Sequence, residues 1–586
     1  MTLTEAPPQP SAPPMHEPQA ARVRWLVSAH HRHVGALYLM LSMVFGVLAV
    51  VVAFAYEFER SATGVTIVGD SVAQFWNVWS TALVMLCLAP AWLGIAIVVV
   101  PAQVGAKSLA FGRLANASWW LTTAGALTWL GGFLVAPLSS LLFDDTVAGV
   151  RGAGLVFPQP MAAGLDGANA ATALALGGLS LVGIGLILGW ATVVATVLAR
   201  RIDGMRFARV PYFSMAALMT GVVWVLAGGA HLGGMLLLQL DQHSAGTFFA
   251  ETTAGTKGLY QHLLWWNGRP EALVLLVPAL GALGDITVTA AKRSLVMPRA
   301  AQLLLAGGAV VTLTAWSGKP VGFTSVYAPT GVPSSAAFIL PLGAFTLLLL
   351  ATLSLGARRP SLALVGGLAM LATLGHAGVQ ALVSARANVE GPAFTDIASA
   401  NSQATSIVGS TWPIAHALTL TVFASLLGLI GAAIYWAPKI WGRRLNALLA
   451  TLALIAAFVG TFMVSLGQYL LGYQHGPAYV ADAPSSFGAA FGAVRSDGSA
   501  VASDAEFHDL SLLTSVGWLV VALAFGAVIA AVLLALKGVG SEPGNNPVDG
   551  STLEWNFASP LSSLDPAMVP PVRSARPLAD VVEVSP

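Results

Sequence analysis

Long apolar stretches alternate with short polar, basic or Gly/Pro-rich connectors along almost the whole chain. A helix needs about 20 mostly apolar residues to cross a bilayer. Twelve stretches meet or approach this length: 34–56, 80–102, 118–142, 172–199, 211–240, 260–287, 300–317, 335–356, 361–385, 407–436, 445–473 and 511–537. The seventh is the shortest, and 211–240 and 407–436 are long enough to include tilted or interfacial turns. The pattern predicts an all-α integral membrane protein built as a twelve-helix transmembrane bundle. It divides the chain into a Pro-rich tail at 1–29, one bundle at 30–537 and a second tail at 538–586. The first 20 residues include PPQPSAPP and lack an apolar core, the composition of a disordered tail rather than a cleavable signal.

Composition agrees with this picture. The 586 residues are 56% hydrophobic and 9% charged, against roughly 25% charged in soluble proteins. A net charge of +1 offers nothing to nucleic acid. The single cysteine, Cys87, lies in an apolar run, which excludes disulfides and thiolate metal clusters within one chain. The distribution of charge matters more than its sum. With the N-terminus placed inside, 20 of the 27 Lys and Arg residues fall on the inner side. Arg60, Arg151, Lys257, Lys319, Arg386 and Arg495 fall outside, and Arg269 falls within a stretch. By the positive-inside tendency both termini are expected in the cytoplasm of a bacterium, with the bundle in its inner membrane. The longest outer connector, about 474–510, is polar and is a candidate docking segment for a partner.

Five separated strings carry a resemblance. They are HRHVGALYL at 31–39, VPAQVGAKSLAFGR at 100–113, QHLLWWNGRPEALVLLVPALG at 261–281, TFMVSLGQYLLGYQHGP at 461–477 and DGSTLEWN at 549–556. In order and near-spacing they resemble subunit I of the haem-copper oxidases, the cytochrome c oxidase type, while 318–405 aligns poorly. The resemblance implies the twelve-helix fold, two haems, a copper ion, oxygen reduction with proton transfer, and partner subunits of the II or III type.

The residues that would carry this chemistry are depleted. Where the family has Gly-His-Pro-Glu-Val-Tyr on its sixth helix, the chain reads Gly268-Arg269-Pro270-Glu271-Ala272-Leu273. Arginine offers no lone pair to a metal. The two further copper histidines fall, at the family's spacing, on Lys319 and Pro320, and no histidine occurs between His262 and His376. The tyrosine that the family cross-links to a copper ligand is Leu273. The low-spin haem needs one histidine on the second helix and one on the tenth. None occurs between His33 and His231, and the second ligand position is Leu418. The resemblance leaves His416 as the one haem-ligand position that keeps an imidazole, and Glu271 as the proton-relay glutamate. The propionate-binding arginine pair is absent from Gly476-Pro477-Ala478-Tyr479, and Ser108 replaces a proton-path aspartate, although Asn116 persists. His30, His31 and His33 at the bundle entry read either as interfacial polar residues or as a surface metal site. His262 lies at the outer mouth of the sixth helix, where the family also has histidine outside the ligand set, and His231, His243, His376, His475 and His508 show no ligand-like pairing.

A charge at membrane depth costs about 2.5–3.5 kcal/mol on insertion scales. Arg269 is therefore expected to fill the copper position as a fixed positive charge paired with Glu271 or another carboxylate, or else to snorkel outward. Three functions follow as expectations. The first is a non-catalytic paralogue serving as scaffold or partner in a respiratory assembly, with no metal. The second is a divergent terminal oxidase, or a single-haem protein using His416. The third is an ion channel or carrier through the vacated cavity, using Glu271 and Asp285.

Overall fold

The computed structural model describes residues 26–61, 72–143, 170–243, 275–312, 334–357, 359–390, 415–416, 418–473, 504–539, 543–561, 564 and 569–582. Twelve helical rods run through these residues. α1 is His31–Arg60, and α2 is the continuous rod 72–103, whose middle, Ala82–Leu88, is π-helical. α3 is Gly112–Phe143, α4 Ala170–Ala199, α5 Tyr212–His243, α6 Leu276–Ala291, α7 Pro298–Thr312, α8 Ser334–Leu355 and α9 Leu362–Glu390. α10 begins with π-helical turns at Leu418–Phe423 and continues as Ala424–Trp441; α11 is Ala447–Tyr473 and α12 Asp504–Leu536. Each apolar stretch of the sequence coincides with one rod over its described part. Eight of the rods are long and apolar enough to cross a membrane. The protein is an all-helical polytopic membrane protein: with no water to satisfy backbone groups in hydrocarbon, apolar runs of this length have only the helix available.

Burial sorts the rods. Nearly every described residue of α2, α6 and α10 is buried, and these three form the interior. The others surround them and turn apolar side chains outward, such as Val44 and Val51 on α1, Leu303 on α7, Leu347 on α8, Leu448 and Ile455 on α11, and Leu523 on α12. A belt of this kind suits acyl chains rather than water. Glycine sets the closest approaches. A Cβ on Gly94 of α2 would stand 2.9 Å from the Gly35 carbonyl oxygen of α1, and one on Gly460 of α11 would stand 2.8 Å from that of Gly517 on α12. Such contacts replace the hydrophobic driving force that lipid does not supply between helices.

The second tail, read from its Pro/Ser/Gly content as a mere extension, is packed in its described part. A 3-10 turn at Leu553–Asn556 and a short helix, α13, at Pro577–Val582 return to the bundle. Leu553, Glu554, Trp555 and Leu561 are buried there. They lie against the ends of the three inner rods.

Candidate functional site

The inner rods carry both π-helical segments, a geometry that is rare and often marks functional positions. Hydrogen bonds hold these rods together at their centre. The Trp92 indole of α2 donates to Ser425 Oγ of α10 at 2.8 Å, and Ser425 Oγ donates to the carbonyl of Leu275, just before α6, at 3.0 Å. Ser42 of α1 donates to the carbonyl of Cys87 at 2.7 Å, fixing the π segment of α2. Beside it lies a pocket of about 60 Å³ between α1, α2, α10 and α12. Leu39, Leu426 and Phe525 supply apolar wall; among the described residues, Ser42, Cys87 and Trp441 supply the polar side chains and no imidazole lines it.

His416 is half-buried in the turn entering α10. Leu418, two residues on, is buried at the start of the π segment. Phe423 ends that segment against Trp518 of α12 at a centroid distance of 5.9 Å, and Trp518 meets Trp79 of α2 at 5.2 Å. Aromatic packing therefore joins α2, α10 and α12 at the end of the π segment. Thr419 donates to the carbonyl of Ala415 at 2.6 Å and also bonds Ser465 of α11, which Gln380 Nε2 and His376 Nε2 of α9 contact at 2.8 and 3.1 Å. Arg269, Glu271, Leu273, Lys319 and Pro320 lie outside the described residues, as do His262 and His475, while His243 is the last residue of α5.

The other sequence positions take structural places. His30 caps α1 by accepting from the Arg32 amide at 3.3 Å, and its ring stacks on His31 with centroids 4.6 Å apart. His33 bonds Ser28. Among the described residues no group of three or more His, Cys, Asp or Glu side chains is arranged to hold a metal. Asn116 donates to the Leu26 carbonyl at 2.9 Å, and Ser108 accepts from Arg200 at 2.8 Å. His231 contacts the Leu179 carbonyl, and His508 the Arg60 carbonyl. Arg60 itself, counted in an outer connector from sequence, is buried in the last turn of α1. It pairs with Glu57 at 3.2 Å and lies over the rings of Tyr56 and Phe507. Glu57 also accepts from Gln468 of α11 at 3.0 Å.

The densest polar site is one that sequence reading did not assemble. Gln103 ends α2, and its amide nitrogen donates to Asp285 of α6 at 2.8 Å and to Glu554 of the tail at 3.1 Å. Its oxygen accepts from Ser214 at 2.6 Å. Asp285 also accepts the amides of Tyr212 and Phe213, at 3.0 and 3.3 Å. These are among the orphan donors that open α5, and a carboxylate suits that helix end electrostatically. Glu554 accepts from the Trp436 indole of α10 at 3.2 Å. Lys439 donates to the carbonyls of Phe557 and Asn545, and Trp555 donates to Tyr435 at 3.1 Å. Burial pushes the Glu554 carboxyl above the usual carboxylate range, against the lowering by its hydrogen bonds, of which that from Gln103 is the largest. One tail segment thus closes the base of all three inner rods.

Residues 33–520 match the family described as Cytochrome C and Quinol oxidase polypeptide I. The chain belongs to this family. Among its relatives is the Heme-copper oxidase subunit I+III of Aeropyrum pernix, 26% identical over 572 residues; the alignment covers 96% of this chain and 63% of that protein, so the chain spans less than two thirds of its relative. The probable cytochrome c oxidase subunit 1-alpha proteins of Streptomyces avermitilis and Streptomyces coelicolor are each 23% identical, over 80% of this chain and 76% of theirs. A solved heme-copper terminal oxidase dimer aligns with a TM-score of 0.62 at 15% identity, covering 94% of this chain and 88% of that one. That likeness establishes the polypeptide I fold. Of the positions that the sequence resemblance marked, Leu418 lies at the start of α10 and His416 just before it.

Proposed function

We propose that this chain is a non-catalytic member of the polypeptide I family, one that keeps the bundle as a scaffold within a respiratory membrane assembly. The observation that carries the reading is the joint loss of imidazole. Iron and copper in such sites take neutral nitrogen donors. The chain has no histidine from 34 to 230 or from 263 to 375, Leu418 stands at the tenth-helix position, and Arg269, Lys319 and Pro320 stand at the copper positions. This donor set does not fit a bis-histidine haem or a three-histidine copper ion. The burial of Leu418 in the hydrophobic core supports the same reading. Persistence of the rods, of the tail closure and of the charge asymmetry supports a protein still selected to insert and fold. We infer that the basic end faces the cytoplasm, and that the assembly includes a subunit of the II or III type.

His416 favours one second reading: a single haem held through one axial imidazole. The visible spectrum of the detergent-purified protein, with iron and copper analysis, tests both. Two haems and stoichiometric copper overturn the scaffold reading. One haem that is lost in His416→Ala establishes the second. Absence of both metals, with a copper-bearing subunit copurifying, is the result expected of the scaffold.

A further inference from the structure

At the basic end of the bundle a pocket of about 410 Å³ opens between the end of α6, the start of α9, the end of α10, the start of α11 and the tail at 547–548. Its floor is apolar and includes Ile286, Leu362, Ile434 and Leu445. Its cations are Lys292, Arg359 and Arg444. Among the described residues one carboxylate meets them: Asp549 pairs with Lys292 and, at 3.4 Å, with Arg359. One carboxylate against three cations leaves a net positive charge at this rim among the described residues, and Asp549 is itself 71% exposed.

The backbone offers donors at the same place. Four helices terminate here, two by their C-termini and two by their N-termini. The C-terminal carbonyls are occupied: Ala291 and Ala290 of α6 accept from the amides of Ala357 and Arg359 at 3.0 and 3.3 Å. In α10, Pro438 and Lys439 accept from Gly442 and Leu561, both at 3.0 Å. The N-termini are capped only at their third positions, by Ser361 on the Leu364 amide of α9 and by Asn446 on the Leu449 amide of α11. The first amides of each helix have no intrahelical acceptor, and two positive helix ends converge on the pocket. Immediately above it, Val365 and Leu368 on α9 and Leu448 and Leu452 on α11 are exposed. The pocket therefore combines an anion site with an apolar wall that continues into the lipid-facing belt.

We propose that this pocket binds the phosphate headgroup of an anionic phospholipid from the leaflet at the basic end, with its acyl chains along α9 and α11. Lys292, Arg359 and Arg444 and the two helix N-termini would hold the phosphate, and Asp549 competes with it for Lys292 and Arg359. Basic pockets between membrane helices favour such headgroups, at a gain of roughly thirtyfold for two cations. A soluble phosphate would find the same charges but would leave the apolar wall unused.

The test compares three forms of the whole protein in neutral detergent: unaltered, Arg359→Gln/Arg444→Gln, and Asp549→Asn. Phospholipid retained per chain is measured by native mass spectrometry. Thermal midpoints are followed on adding phosphatidylglycerol, phosphatidylcholine or inorganic phosphate. The unaltered protein is expected to retain about one anionic lipid and to be stabilised by phosphatidylglycerol over phosphatidylcholine. The double variant should bind roughly thirtyfold more weakly. Asp549→Asn should bind more tightly, a gain that misfolding does not imitate. Equal retention by the unaltered protein and the double variant overturns the proposal. So does weaker binding by Asp549→Asn, or stabilisation by inorganic phosphate equal to that by the lipid.

Discussion

Replacing Glu554 measures how strongly the tail closes the inner rods. Its Oε1 accepts from Gln103 at 3.1 Å and from Trp436 at 3.2 Å, and the side chain is fully buried. Glu554→Ala leaves one Gln103 N–H and the Trp436 N–H without an acceptor. Each unsatisfied buried donor costs about 1–3 kcal/mol, so the variant should lose about 2–6 kcal/mol. Glu554→Gln keeps a carbonyl oxygen for both donors and removes the charge. The pH dependence gives a second, independent reading. Burial raises this carboxyl above its unfolded value, so the folded state holds the proton more tightly. Its contribution to stability is therefore fully present below the unfolded value, about pH 4.3, and is lost as pH rises through the folded value. Glu554→Gln does not titrate, and its stability relative to the unaltered protein should rise with pH across that window, by at most about 1.4 kcal/mol per pH unit. Tryptophan fluorescence during heating at one fixed rate, from about pH 4.5 to 8, suits the assay because unfolding of such proteins is commonly irreversible. If Glu554→Ala unfolds with the unaltered protein, or if the Glu554→Gln advantage grows toward acid, the tail closure is not the stabilising contact described.

Deleting the tail after residue 543 removes the buried Leu553, Trp555 and Leu561. At about 1.5–3 kcal/mol per large apolar side chain, the truncated protein should unfold well below the full chain and show faster proteolysis at the basic end. At the opposite end, Arg60→Met strands the buried Glu57 and should cost about 3–5 kcal/mol, whereas Glu57→Gln/Arg60→Met should recover most of the thermal midpoint.

The rods were legible because the bilayer leaves apolar runs one backbone solution, and all twelve stretches coincide with helices over their described parts. The burial of Arg60 was not legible because counting charges by connector ignores neighbours: Glu57, three residues earlier on the same helix face, pairs with it and lets it be buried. The base network was visible only in pieces. Asp285 stood out as an isolated charge in an apolar run, and Glu554 lay within a string recognised for its resemblance. Their meeting through Gln103 is a contact across 451 residues of sequence, which no local pattern encodes. Asp285 was weighed as part of an ion path. Its two oxygens accept the α5 amides and the Gln103 amide, which makes it a helix cap and a strut.

A bundle can lose its ligands and keep its shape when different residues hold each. Here the rods are held by glycine contacts, by the Trp92–Ser425–Leu275 chain and by the tail. None of these passes through His416 or Leu418. The strings that carry the family resemblance include members of these contacts, among them Gly35, Gln103 and Glu554. On the scaffold reading proposed above, the ligand positions drifted while those did not. Leu418 should then behave as an ordinary core residue: buried within the hydrophobic core, it should cost about 2–5 kcal/mol on truncation to Ala. Leu418→His places a polar ring among apolar neighbours and should also destabilise. Both variants are compared by thermal midpoint, with and without added haemin. Should Leu418→Ala unfold like the unaltered protein, or Leu418→His take up haem and become more stable, the position has kept its ligand geometry, and the separation of scaffold from ligand set argued here is wrong.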